Sequence, residues 1–171
     1  MQPGEIMAML AEGPRNAVAN ATVVAKMVLK EPKLAGTLVE ALASPNKTIV
    51  SHAAHALFTV FKTNPALLQP FAKQLLKAFS GSQWEKLEQL AKILPGLSLS
   101  EPDQASFRER LEMIFYKDKS SIARTNALQA LHDLGEKHAA FQEASVKALK
   151  FALEEGSKAM QARARNLLKP K

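Results

Sequence analysis

His52 and His55 stand three residues apart, a spacing that puts two imidazoles on one flank of a helix. Two histidines can begin a metal site, but zinc asks for a third protein ligand at least. No carboxylate or further histidine falls at a ligand spacing in that stretch. The chain has no cysteine, which removes thiolate ligands, thiol nucleophiles and disulfides together. Glu85 and Glu88, like Glu109 and Glu112, are carboxylates at i, i+3. A hydrolase separates such a pair into acid and base by raising one pKa. Nothing in the neighbouring residues would do that, so both pairs read as solvated helical faces. His132 and His138 are isolated and read as surface or helix-end residues. There is no phosphate-binding loop, no G-x-S-x-G and no dinucleotide fingerprint. The expectation is a chain with no catalytic residues, no cofactor and no metal. Trp84, the one tryptophan, reads either as a gap-filler beside Leu87 or as an aromatic anchor for a partner.

The elements that would position these residues are helices. Hydrophobic residues make up 47% of the 171, which is globular composition. Alanine and leucine dominate and aromatics are only 6%, a balance that favours helix. Charges or prolines interrupt every apolar run well short of a membrane span. The opening residues lack the basic start and apolar core of a secretory leader. The expectation is therefore a soluble cytoplasmic protein with no membrane partner. Asn20-Ala21-Thr22 and Asn46-Lys47-Thr48 are then glycosylation sequons in form only. The net charge is +7, and residues 116–171 alone carry +5. A basic end of this kind attracts nucleic acid or an acidic protein.

Helix breakers recur at Gly13-Pro14, Ser44-Pro45, Gly81, Gly96, Gly135 and Gly156. Between them the apolar residues fall every three or four positions, with no sustained alternation. Ten helices in five antiparallel pairs follow: 3–12 with 15–30, 32–43 with 46–62, 65–79 with 82–94, 102–116 with 119–134, and 137–153 with 157–169. Pro70 lies inside the fifth of these helices and should kink it or delay its start. Residues 96–101 read as a loop within one array rather than as a domain boundary.

The second helices of the pairs align. A reference column holds Ala21, Ala54, Leu87, Ala127 and Ala164, at intervals of 33, 33, 40 and 37 residues. Three residues on come Val24, Leu57, Leu90, Ala130 and Leu167. Next come Ala25, Phe58, Ala91, Leu131 and Leu168, and a turn later Val28, Phe61, Leu94 and Leu134. Such a period marks a helical solenoid, in which each pair buries its apolar face on its neighbours.

Ser121-Ile122-Ala123-Arg124 followed by Ala127-Leu128, Ala130 and Leu131 resembles the second helix of a HEAT repeat. Ile122 and Arg124 match the apolar and basic residues common early in that helix. The second copy has Ser51 where Arg124 stands, the third has Trp84 and the fifth Gln161. The resemblance implies an all-α fold: a right-handed α-solenoid of about five antiparallel helix pairs, HEAT-like with armadillo-type packing. It makes residues 1–171 a single repeat domain with the second helices lining a concave face.

The resemblance also implies a non-catalytic scaffold or adaptor that binds a protein partner. Five residues after the reference column come Lys26, Thr59, Lys92, His132 and Lys169. At about 100° per residue these lie roughly 140° from the buried stripe, as a ladder suited to an acidic partner. With His52, Trp84 and Arg124 they form the expected partner-binding set. The alternative is nucleic-acid binding, including a HEAT-like DNA glycosylase for alkylated bases. One Trp and one Tyr are few for an enzyme that must stack an extruded base. An array also needs polar end caps. Ile6, Met7, Met9 and Leu10 make the first pair a poor one, so the chain is expected as a monomer or as a dimer through that pair.

Overall fold

A computed structural model describes residues 1–171. It contains ten α-helices and no strand. They are α1 (Pro3–Leu10), α2 (Ala21–Lys30), α3 (Ala35–Glu40), α4 (Lys47–Thr63), α5 (Ala72–Ala78), α6 (Trp84–Ile93), α7 (Glu101–Lys117), α8 (Ser121–Lys137), α9 (Ala139–Glu155) and α10 (Lys158–Leu167). None is long and apolar enough to cross a membrane. The chain forms two compact units, Met1–Leu99 and Ser100–Lys171. The division falls inside residues 96–101, the stretch read from sequence as an ordinary loop.

In the first unit α4 is the central element. It packs on α1, α2, α3 and α6, which explains why Ala53, Ala54, Ala56, Leu57 and Val60 are all sealed from solvent. Asn46 starts it by accepting from the amides of Thr48 and Ile49 at 2.9 and 3.4 Å, an N-cap that satisfies two otherwise orphaned donors. The remaining helices of this unit are short, and proline is one reason. Pro32, Pro65 and Pro70 each sit in a 3-10 turn rather than in α-helix. As the sequence requires, Pro70 delays its helix, and α5 begins only at Ala72.

The second helix of the first pair departs from expectation. It begins at Ala21 rather than near Arg15, and residues 14–20 are turns. Gly13 has φ +84° and Ala19 φ +45°, a left-handed conformation that a helix cannot carry. Long-range bonds hold the segment open. The Asn20 amide donates to the Met9 carbonyl at 3.2 Å and to the Glu12 carboxylate at 2.8 Å. Residues 14 and 15 give their carbonyls to α4, as described below.

In the second unit α8 plays the central part, packing on α7, α9 and α10. Ser100, Ser120 and Ser157 cap α7, α8 and α10 through their hydroxyls. Gly135 of α8 lets α9 approach: a Cβ there would lie 2.8 Å from the Ser145 Cβ. Phe115 is buried and meets the Tyr116 and Phe151 rings edge-on at 4.7 and 5.8 Å. Phe107 and Phe141 make a second edge-on pair at 6.4 Å.

The aligned columns are core. Ala21, Ala54, Leu87, Ala127 and Ala164 are all buried. So are Val24, Leu57, Leu90 and Ala130. The register lapses at the ends of helices: Phe58 and Phe61 are half-buried and Leu168, just past α10, is 54% exposed. Ile6 and Leu10 are completely covered within the first unit. Met7 and Met9, the other two residues of the face on which a dimer was expected, are half-buried.

Candidate functional site

Residues Trp84, Glu85, Glu88, Gln89 and Lys92 recur with the pitch of α6 and line one side of a cleft of about 320 Å³. The opposite side is Ser51 and His55 of α4 together with the 16–18 turn. Counted at 100° per residue, Glu85, Gln89 and Lys92 lie roughly 140–160° around α6 from Leu87. The cleft therefore lies between α6 and α4, with Trp84 and Glu88 on the flank of α6 nearer the buried column.

The turn that walls the cleft is tied to α4 by side chains reaching backbone. The Ser51 hydroxyl donates to the Arg15 carbonyl at 2.7 Å. His52 Nδ1 lies 2.8 Å from the Leu10 carbonyl, and Nε2 lies 2.9 Å from that of Pro14. Carbonyls only accept, so a ring N–H donates in this pair, and the tautomer sets which nitrogen carries it. These bonds replace the helical ladder that residues 14–20 do not form.

Glu85 is buried, with its side chain 8% exposed, and Arg15 Nε donates to its Oε1 at 2.5 Å. Its other oxygen, Oε2, is buried with no partner. Gln89 Oε1, one turn along, is likewise buried with no partner. Such groups are uncommon because each forfeits the hydrogen bonds it had in water. His55 is held below its ordinary pKa, first by burial and then by the Lys62 and Lys92 ammoniums, with Glu88 opposing. At neutral pH it therefore lines the cleft uncharged. Trp84 stands at the rim, 39% exposed, with Val18 44% exposed across from it.

Several expected partner-binding residues have other work in the fold. His52 is completely buried and pins the 10–14 segment, with both its nitrogens at hydrogen-bond distance from backbone carbonyls. Arg124 is half-buried, and its Nε donates to the Phe115 carbonyl at 2.6 Å, closing the C-terminal end of α7. The Thr59 hydroxyl turns back to the His55 carbonyl at 3.2 Å. Lys92 pairs with Glu88 at 3.4 Å and sits 5.2 Å from the centre of the Phe58 ring. Lys169 lies beyond the end of α10 in a turn closed on the Asn166 carbonyl, not on the helix face. His132 is half-buried in α8. Lys26 is exposed on α2. Only Trp84 and Lys92 of the expected set line the cleft.

Sequence reasoning assigned Glu85 to a solvated face and passed over Gln89 and Arg15. Both α6 residues lie away from Leu87 by register, and α4 together with the turn folded against it covers them. The available signal was the polar run Arg15-Asn16 and Asn20 after Gly13-Pro14, whose residues favour turns over helix. No protein-family model matches the chain, and no curated protein matches it.

Proposed function

We propose that this chain is a non-catalytic, cytoplasmic interaction module, a right-handed HEAT-like array whose second helices receive a protein partner. The observation that carries this reading is the cleft between α6, α4 and the 16–18 turn, rimmed by the exposed indole of Trp84. Half-exposed aromatics beside a preformed hollow are the residues on which protein interfaces concentrate their energy. The basic ladder lends less support. Lys92 is already engaged by Glu88, so an acidic partner would compete with a bond the protein has made for itself.

A selection from a random-peptide library against the whole protein tests the reading. The expected result is an enriched consensus whose affinity falls at least tenfold with Trp84→Ala and is unchanged by Met113→Ala on α7. No consensus, or equal loss with both variants, would overturn it. A gel shift with duplex DNA at two salt concentrations addresses the alternative. Salt-sensitive binding at micromolar protein would favour the nucleic-acid reading.

A further inference from the structure

Residues 11–20 join α1 to α2, and no apolar side chain holds them down. Leu10 before them and Ala21 after them are completely buried. Between those anchors residues 11–19 are all exposed and Asn20 is half-buried. The segment therefore gains little hydrophobic stabilisation from lying where it does. Polar bonds hold it instead. Two cross to α4, where the Ser51 hydroxyl donates to the Arg15 carbonyl at 2.7 Å and His52 Nε2 lies 2.9 Å from the Pro14 carbonyl. One crosses to α6, from Arg15 to Glu85. The closed position also carries costs. Ala19 has φ +45°, in the left-handed region that disfavours a residue with a Cβ. Glu85 Oε2 and Gln89 Oε1 are buried with no donor, an arrangement that forfeits the hydrogen bonds they had in water.

We propose that residues 11–20 form a hinged strap that lifts from α4 and α6 as one piece while both helices stay folded, so that the cleft exists with and without its 16–18 wall. The segment closes on itself: the Asn20 amide donates to the Glu12 carboxylate at 2.8 Å. A Cβ added at Gly13 would lie 3.0 Å from the Ala19 Cβ, so the two ends of the strap meet, as in a compact surface loop. Lifting it removes none of its own side chains from an apolar core. Local openings are drawn from segments of this kind, poor in buried apolar contacts. Closed, the strap sets Val18 across the cleft from Trp84. Lifted, it releases Glu85 from Arg15 and leaves α4 as the facing wall. The inference does not depend on what the cleft receives.

Arg15 makes the strap testable, because it is the first lysine or arginine in the chain. Brief digestion of the whole protein with dilute trypsin, read by mass spectrometry, follows the one bond between Arg15 and Asn16. When opening is fast relative to cleavage, the rate reports the open population. The expected result is cleavage there while the helices of the unit stay intact. Its urea dependence should be much shallower than that of global unfolding, because little surface is exposed. Ser51→Ala should speed cleavage severalfold. Position 19 supplies variants of opposite sign. Ala19→Asn should slow cleavage severalfold, because asparagine tolerates the left-handed region, and Ala19→Val should speed it. These three changes leave the Arg15 side chain and its carboxylate untouched, so they report lifting rather than release of the guanidinium. Circular dichroism melts establish that each variant folds, and Met113→Ala on α7 should leave the rate unchanged. Cleavage that occurs only in step with global unfolding would overturn the proposal. So would a rate indifferent to Ser51→Ala and to both changes at position 19 in folded proteins, which is the behaviour of a loop cut where it lies.

Discussion

The two units solve the same problem of stacking helices by different means. Of the nine prolines, seven lie in residues 1–99 and two in 100–171. In the second unit three helices run for 17 residues each, and Pro102 sits harmlessly in the first turn of α7, where its missing N–H was unpaired anyway. Ser100 and Ser120 cap α7 and α8, Arg124 closes the far end of α7, and edge-on aromatics pack between the helices. In the first unit only α4 reaches 17 residues. Backbone groups of this unit are satisfied from far away in sequence: His52 reaches the carbonyls of residues 10 and 14, Ser51 that of 15, Gln83 that of Lys47, and Gln69 donates to the Ser98 carbonyl and accepts from its amide. Interrupted helices leave backbone groups open, and side chains from other elements must meet them. In this irregular unit the cleft is walled by α4 and by the 16–18 turn, which lie together across α6.

The largest test of this contrast is Phe115→Ala. Packing carries the second unit, so the loss should be about 3–5 kcal/mol in urea melts, with hydrogen exchange accelerated in residues 100–171. Exposed Asp133→Ala in the same unit should stay within about 0.5 kcal/mol. His52→Ala is the counterpart in the first unit. It leaves two carbonyls unanswered and should cost about 2–4 kcal/mol, with exchange accelerated around residues 10–20. A negligible loss would mean that distant side-chain bonds do not hold the irregular unit. Ser157→Ala removes the α10 cap, whose hydroxyl accepts from the Met160 amide at 3.3 Å, and should cost about 1 kcal/mol.

The smallest effect is one of pH. His55 has its pKa lowered in the folded protein, so below the unfolded value of about 6.5 the unfolded chain binds the extra proton. The stability this group contributes is present above that pH and falls as pH drops toward the folded value. His55→Gln should flatten the dependence of the melting midpoint between neutral pH and that lower limit. An unchanged slope would show that burial beside Lys62 and Lys92 does not set the protonation of the cleft.

Charge illustrates how a linear reading can mislead. The +5 of residues 116–171 suggests a basic end, yet acidic residues in α7 lower the second unit to +3 while the first carries +4. Arg163 and Lys171 in that end are also engaged, by Gln129 and Glu136. Trp84 was visible as an anchor candidate because its size and solitude are properties of the residue itself. The polar atoms of Arg124 and His52 are used by backbone that lies nine or more positions away, which no local pattern shows.

What the residues determined on their own was the local part: a chain of helices, most of their breakers though Gly135 lies inside α8, and the buried position of the reference column. A 3.6-residue apolar rhythm and a proline's missing N–H act within a few residues, so they are legible wherever they occur. What only the tertiary structure decided was the fate of the opposite faces. Whether Glu85 and Gln89 meet solvent depends on residues 14–20 declining to be helix and being drawn onto α4 by Ser51 and His52, over separations of 36–42 residues. Burial of a polar group is a property of what covers it, and the covering segment is chosen by long-range bonds that no local pattern records.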